Sequence, residues 1–250
     1  MTPDTTTSVP FQPKVETVLV VGDSLARGIF PPVAAALAGP GTKVEWEWVI
    51  GVMWPEITPT WEHIFAATQP DLLIVQLGTW ENFLLREGTV IDPTDPDWKS
   101  IYRREVADPW IAMAEESDSS VVWMAMPKSS EPIRSADYRE LDAVWRDAIQ
   151  DAAATHQANG TSPTITWQDD TNLLTGPDGE FLAIDESVDP PIRLFNIDGL
   201  HWCAGGAQRV TQPLLEHLLE SFDLQMNPGW PNSGWDQDLE AYPDGECPNP

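Results

Sequence analysis

The sequence predicts an α/β fold, a three-layer α/β/α sandwich around a central, mainly parallel sheet of about five strands. Three observations predict it. The apolar runs Val18-Leu19-Val20-Val21, Leu72 to Leu77 and Val121 to Met126 are continuous rather than alternating, as in strands covered on both faces. Stretches of helical periodicity separate these runs. Glycines stand at the carboxyl ends of two of the early strands, the end at which open α/β sheets bind their ligands.

Taken in order, residues 1–14 are Thr/Pro-rich and polar and read as a linker. Residues 15–224 read as the domain, and residues 225–250, with Pro, Gly, Trp and Asp but no periodicity, as an irregular tail. After the first strand Gly22 supplies a tight turn, and Ser24 opens a helix ending near Gly39-Pro40-Gly41. Lys43 to Ile50 alternates as a strand, with Trp46 and Trp48 on one face and Glu45 and Glu47 on the other. Gly51 follows at its end. A helix is predicted around Glu56 to Thr68, then a turn at Gln69-Pro70-Asp71, then the Leu72 to Leu77 strand, which runs into Gly78-Thr79-Trp80-Glu81-Asn82.

Ile91 to Asp97 is a Pro-broken acidic loop. It lacks the glycine and distal glutamate of an EF-hand and reads as solvated. Helices near Ser100 to Glu116 and Ala136 to Gln157 flank the Val121 to Met126 strand, and Thr164 to Trp167 is a last short strand. Residues 169–195 are loop-like, and a helix from Gly206 to Phe222 closes the sheet.

Chemistry concentrates at two places. Ser24 lies where a buried strand turns into a helix, so its hydroxyl meets unpaired N–H groups and the positive end of the helix dipole. The plainer alternative is that Asp23 or Ser24 only caps the helix. Asp198-Gly199-Leu200-His201 sets a carboxylate and an imidazole three residues apart, on one side of a turn. Asp198 then orients the ring, and His201 takes the proton of a serine nucleophile.

Gly22-Asp23-Ser24-Leu25 near one end and Asp198-x-x-His201 near the other resemble the SGNH/GDSL hydrolase superfamily, whose catalytic Ser, Asp and His occupy those motifs. The longer strings Val21 to Arg27 and Asp198 to Cys203 also resemble its PC-esterase-like branch, which includes polysaccharide O-acetyltransferases. The resemblance implies a flavodoxin-like sheet and Ser24, Asp198 and His201 as a triad. It also implies an oxyanion hole from the N–H groups of Ser24 and Gly51; Gly51 is equally well read as an ordinary turn glycine. Relatives commonly carry Gly-x-Asn-Asp after the third strand, with the Asn as third donor. Here Trp80 stands at that position, and Asn82, two residues on, is the substitute candidate.

Charge narrows the partners. Forty Asp and Glu against 13 Lys and Arg give a formal net charge of −27, so no basic footprint exists for nucleic acid or anionic lipid. No run is long enough for a transmembrane helix, and a membrane domain upstream is left open as an alternative. His63, His156, His201 and His217 show no metal-ligand spacing, and no metal or cofactor is expected. Of the 13 tryptophans most should be core, whereas Trp80 and Trp202 adjoin the motifs and offer an apolar face to a sugar or acyl group. The two cysteines, Cys203 and Cys247, would form a disulfide fastening the tail in an extracytoplasmic setting and would stay thiols in a reducing cytosol.

The leading expectation is a monomeric serine esterase acting on small O-acyl esters, with carbohydrate as the carrier. The same residues would serve an O-acyltransferase that passes the acyl group to a glycan hydroxyl. A turnover-deficient, Trp-rich glycan-binding module is the expectation from another class.

Overall fold

Val18 to Val21 are each at most 2% exposed, which is what a run with no polar alternation requires of a strand in the middle of a sheet. The computed structural model describes residues 13–39, 41–49, 58–80, 82–243 and 245–248. In chain order the elements begin with β1 (Thr17–Gly22), α1 (Ser24–Leu37), β2 (Lys43–Trp48), α2 (Thr58–His63) and β3 (Leu72–Gln76). A short antiparallel hairpin, β4 (Leu84–Arg86) and β5 (Thr89–Ile91), follows. Then come α3 (Trp98–Tyr102), α4 (Asp108–Glu116), β6 (Ser120–Met124), α5 (Pro132–Asn159) and β7 (Ile165–Gln168). A second small antiparallel pair, β8 (Ile184–Asp185) and β9 (Ile192–Arg193), precedes α6 (Ala204–Ser221).

The central sheet has five strands in the order β2-β1-β3-β6-β7, all parallel, which is the flavodoxin-like arrangement. Strand order reverses between β1 and β3, so their carboxyl ends border the crevice of the fold. Helices α1 and α6 pack together on one face, and α3, α4 and α5 pack together on the other.

That second face is built from indole rings. Trp123 on β6 stacks on Trp145 of α5 at 3.8 Å between centroids, and Trp110 of α4 meets both edge-on at 4.9 and 5.6 Å. Trp61 of α2 meets Trp110 at 5.2 Å. Truncating any one of these rings to alanine costs about 3–5 kcal/mol.

Three local departures had no signal in the sequence, the first being that the helix expected around Glu56 to Thr68 continues beyond His63 as a π-turn over Ile64–Thr68. The helix expected over Ser100 to Glu116 is interrupted at Arg103–Ala107 by a π-turn, in which the Asp108 N–H reaches back to the Arg103 carbonyl. Pro109 follows directly and has no N–H to continue the regular ladder. The β4–β5 hairpin turns through Glu87 and Gly88, both at positive φ, where only the glycine is a standard turn signal.

Within the loop before α6, the buried Asp185 carboxylate accepts from the N–H and hydroxyl of Ser187 at 2.9 and 2.5 Å and from Arg209 at 2.5 Å. The Ser187 hydroxyl first, then Arg209, lower its pKa from 3.8 to about 2. A carboxyl depressed on folding stabilises above its unfolded pKa and loses that contribution as pH falls through the folded value. Asp185→Asn is therefore expected to be less urea-resistant than the parent at pH 7, with the gap closing between about pH 4 and pH 2. A gap independent of pH would show that the carboxylate charge is not what stabilises this loop.

Candidate active site

The turn that carries Ser24 is forced by close packing. Gly22, at φ 155°, lies so near β3 that a Cβ would sit 1.9 Å from the Gln76 carbonyl oxygen. Asp23 caps α1: its Oδ1 accepts from the Leu25 N–H at 2.8 Å. The other oxygen, Oδ2, accepts from the N–H groups of Gly78 and Thr79 at 3.1 and 2.9 Å and from the Thr79 hydroxyl at 2.6 Å. Asp23 is thus both cap and clamp, tying the loop after β3 to the residue before the nucleophile candidate. Both readings of this stretch hold together, since capping by Asp23 leaves Ser24 free to act.

Asp198 to His201 form a tight turn. Asp198 Oδ1 accepts from the N–H groups of Leu200 and His201 at 2.8 and 3.0 Å. Gly199 takes φ +69°, and a Cβ there would meet the Ser130 hydroxyl at 2.0 Å. Ser130 in the loop after β6 donates its N–H to the Gly199 carbonyl at 2.9 Å. The sheet's carboxyl edge therefore positions this turn as well as Ser24.

These contacts bring the predicted triad together. His201 Nε2 lies 2.7 Å from Ser24 Oγ, and His201 Nδ1 lies 2.5 Å from Asp198 Oδ2. The carboxylate assigns the proton to Nδ1, so Nε2 is the acceptor facing the serine hydroxyl. Burial alone would raise the Asp198 carboxyl, but hydrogen bonds from the His201 ring and from the Leu200 and His201 N–H groups outweigh it and hold the pKa below the ordinary value. Asp198 stays ionised and can stabilise an imidazolium. The site is open, with the His201 and Asp198 side chains 37% and 42% exposed.

Residues 17–217 match a family described as "Protein of unknown function (DUF459)". The chain belongs to the DUF459 family. Its fold, a five-stranded parallel sheet between helical layers, is the one that the resemblance to the SGNH/GDSL hydrolases implies. No curated protein matches the chain in sequence. Among solved structures, a catalytic mutant of an acetylxylan esterase from Geobacillus stearothermophilus is similar in fold at TM-score 0.52 and 11% identity, over 84% of this chain and 96% of that one. A protein described as an acylhydrolase from Bacteroides fragilis is similar at TM-score 0.50 and 12% identity, over 82% of this chain and 89% of that one. At such identities the likeness concerns the fold.

The remaining site candidates divide. Gly51 lies outside the described residues. Trp80 is 55% exposed beside the crevice, with the Arg134 guanidinium 5.7 Å from its ring. Asn82 is buried, its carbonyl oxygen accepts from the Trp98 indole at 2.7 Å, and its Oδ1 has no partner among the described residues. Trp202 is corrected from a substrate-binding candidate to a core residue. It is buried at 2% exposure, stacks on Phe195 at 5.2 Å and donates its indole N–H to the Leu25 carbonyl at 2.9 Å. The reason is packing: the bridge between Trp202 and Phe195 turns the indole inward, against α1, where a Cβ on Gly28 would lie 2.3 Å from its ring.

Cys203 and Cys247 are joined as a disulfide. Sequence reasoning missed Thr79, Ser130 and Asn196, which hold the two halves of the site. Asn196 alone carried a local signal, an Asx residue two positions before the N–H it caps, that of Asp198 at 2.6 Å.

Proposed function

We propose that this chain is a serine esterase that cleaves small, acetyl-like O-acyl esters carried on carbohydrate, through an acyl-enzyme. The observation that carries the reading is the continuous relay Ser24 Oγ, His201 Nε2, His201 Nδ1, Asp198 Oδ2 at 2.7 and 2.5 Å, with the serine on the first turn of α1. Ser24 Oγ attacks the ester carbonyl carbon while its proton passes to His201 Nε2. The oxyanion takes the Ser24 N–H, for which no backbone acceptor is found among the described residues; Gly51, outside those residues, and Asn82 are the candidates for the further donors. The tetrahedral intermediate collapses, and His201 gives its proton to the departing alcohol. Water, deprotonated by His201, then attacks the acyl-enzyme and releases the acid and Ser24.

The openness of His201 and Asp198 favours water as the second nucleophile over a sugar hydroxyl, and it suits an ester displayed on a large carrier. Trp80 supplies the apolar wall for that carrier. The disulfide supports an extracytoplasmic setting, and among the described residues no helix is long and apolar enough to cross a membrane. We take the protein to act as a monomer with no nucleic-acid partner.

The test is a fluorophosphonate probe alongside a short-chain aryl acetate. One probe bound per chain with acetate release is expected, because only an activated serine reacts. A folded protein that does neither would reject the esterase reading in favour of the glycan-binding one.

A further inference from the structure

The residues that hold Asp198 do not all belong to the domain that the motifs define. Asn196 is buried, and its side-chain amide is used at both ends. Its oxygen accepts from the Asp198 N–H at 2.6 Å, and its nitrogen donates to Glu246 Oε2 at 2.9 Å. The Glu246 carbonyl in turn accepts from the Ile197 N–H at 3.0 Å. Glu246 thus grips both residues immediately before Asp198. The next residue, Cys247, is bonded to Cys203, two positions after His201. Adjacent tail residues therefore fasten the Asp198–His201 turn at its beginning and its end.

The same tail also reaches the helix of the nucleophile candidate. The buried Tyr242 donates its hydroxyl to the Gly28 carbonyl, one turn past Ser24. Glu240 pairs with Arg27 at 2.9 Å. Glu240, Tyr242, Glu246 and Cys247 of the tail so touch both of the pieces that must meet at a 2.7 Å contact.

From this arrangement we infer that Glu246 is a positioning residue for the Asp198–His201 pair, acting through Asn196 and kept in place by the Cys203–Cys247 bond. A lone hydrogen bond to an exposed carboxylate would exchange freely with water; the covalent link one residue away keeps Glu246 at a high effective concentration beside Asn196. With Glu246 in place, the Asn196 amide has one orientation, oxygen toward Asp198 and nitrogen toward the tail. Without it, the amide can rotate or flip and leave the Asp198 N–H unpaired. The inference rests on the esterase reading for its kinetic consequence, but not for its structural one.

The test uses the full chain with Glu246→Ala, Glu246→Gln and Cys247→Ser. Glu246→Ala is expected to lower kcat on an aryl acetate by about 10- to 100-fold with KM unchanged, the scale on which a misplacement of about 1 Å acts. Glu246→Gln should restore activity to within about threefold of the parent, since its amide oxygen still accepts from Asn196. Cys247→Ser should lower kcat in the same selective way, and adding Glu246→Ala to it should change little more, because both act on one contact.

The melting temperature of Glu246→Ala should move by less than about 4 °C, as expected for loss of one partly buried hydrogen bond. Independently of turnover, the low-field proton signal of the His201–Asp198 hydrogen bond should broaden or shift in Glu246→Ala and return in Glu246→Gln. Parental kcat together with an unchanged low-field signal in Glu246→Ala would overturn the inference. So would a loss of activity that only tracks the melting temperature. A parent that neither hydrolyses nor labels, yet shows the signal changing with Glu246, would remove the esterase reading and leave the positioning role standing.

Discussion

Ser24→Ala and His201→Ala are each expected to lower kcat on a short-chain aryl acetate by roughly 10⁴–10⁶-fold, the loss seen when a serine triad is deprived of its nucleophile or its base. The magnitude follows from the geometry. Ser24 Oγ has one acceptor, His201 Nε2 at 2.7 Å, and without either partner no group at the contact can take or give the proton. Neither change should unfold the protein. The Ser24 side chain makes only that hydrogen bond among the described residues, and the His201 backbone bonds to Asn196 and Asp198 survive truncation of the ring. Steady-state rates, checked against urea melts of the same samples, decide the point. Activity within tenfold of the parent in either variant would mean that the relay is not the route of proton transfer.

Asp23→Ala should have the largest effect on stability, a loss of about 3–5 kcal/mol by urea unfolding. The carboxylate is 3% exposed and receives four donors: the Leu25, Gly78 and Thr79 N–H groups and the Thr79 hydroxyl. Each buried donor left unpaired costs about 1–3 kcal/mol, reduced where water enters or the loop relaxes. Against the ~5–15 kcal/mol by which domains are stable, such a loss brings the fold near its limit. Asp23→Asn should help only at the cap, because the amide keeps one acceptor but sets N–H groups against the Gly78 and Thr79 donors. Since the same clamp fixes the turn ahead of Ser24, fluorophosphonate labelling should slow in both variants, even at temperatures where they remain folded. A stability loss under about 1 kcal/mol in Asp23→Ala would show that other groups satisfy the loop after β3.

The contrast between these variants separates two roles within one tripeptide. Gly22 permits the approach of β1 to β3, Asp23 ties the loops together, and Ser24 carries the candidate chemistry while contributing little to stability. Motif recognition registers all three residues as one signal. Their energetic roles differ because two face the packed sheet and one faces the crevice.

The sequence by itself determined the sheet, since an uninterrupted apolar run such as Val18 to Val21 fits a strand covered on both faces, between two helical layers. It also determined Ser24, Asp198 and His201 as a set, because each sits in a short motif whose local geometry, a strand-to-helix turn and an i, i+3 pair, is written in neighbouring residues. The pairing of Cys203 with Cys247 was legible as the one bridge two cysteines can form. Only the tertiary structure decided which tryptophan beside the motifs is open: Trp80 and Trp202 look alike in sequence, but one is 55% and the other 2% exposed. It alone revealed the supports, Thr79 on Asp23, Ser130 on Gly199 and Glu246 on Asn196, whose partners lie 50 or more residues away. A hydrogen bond between distant residues leaves no periodicity in the chain. It exists only because the loops after β1, β3 and β6 and the C-terminal tail converge at one edge of the sheet, and that convergence is a property of strand order rather than of any local stretch.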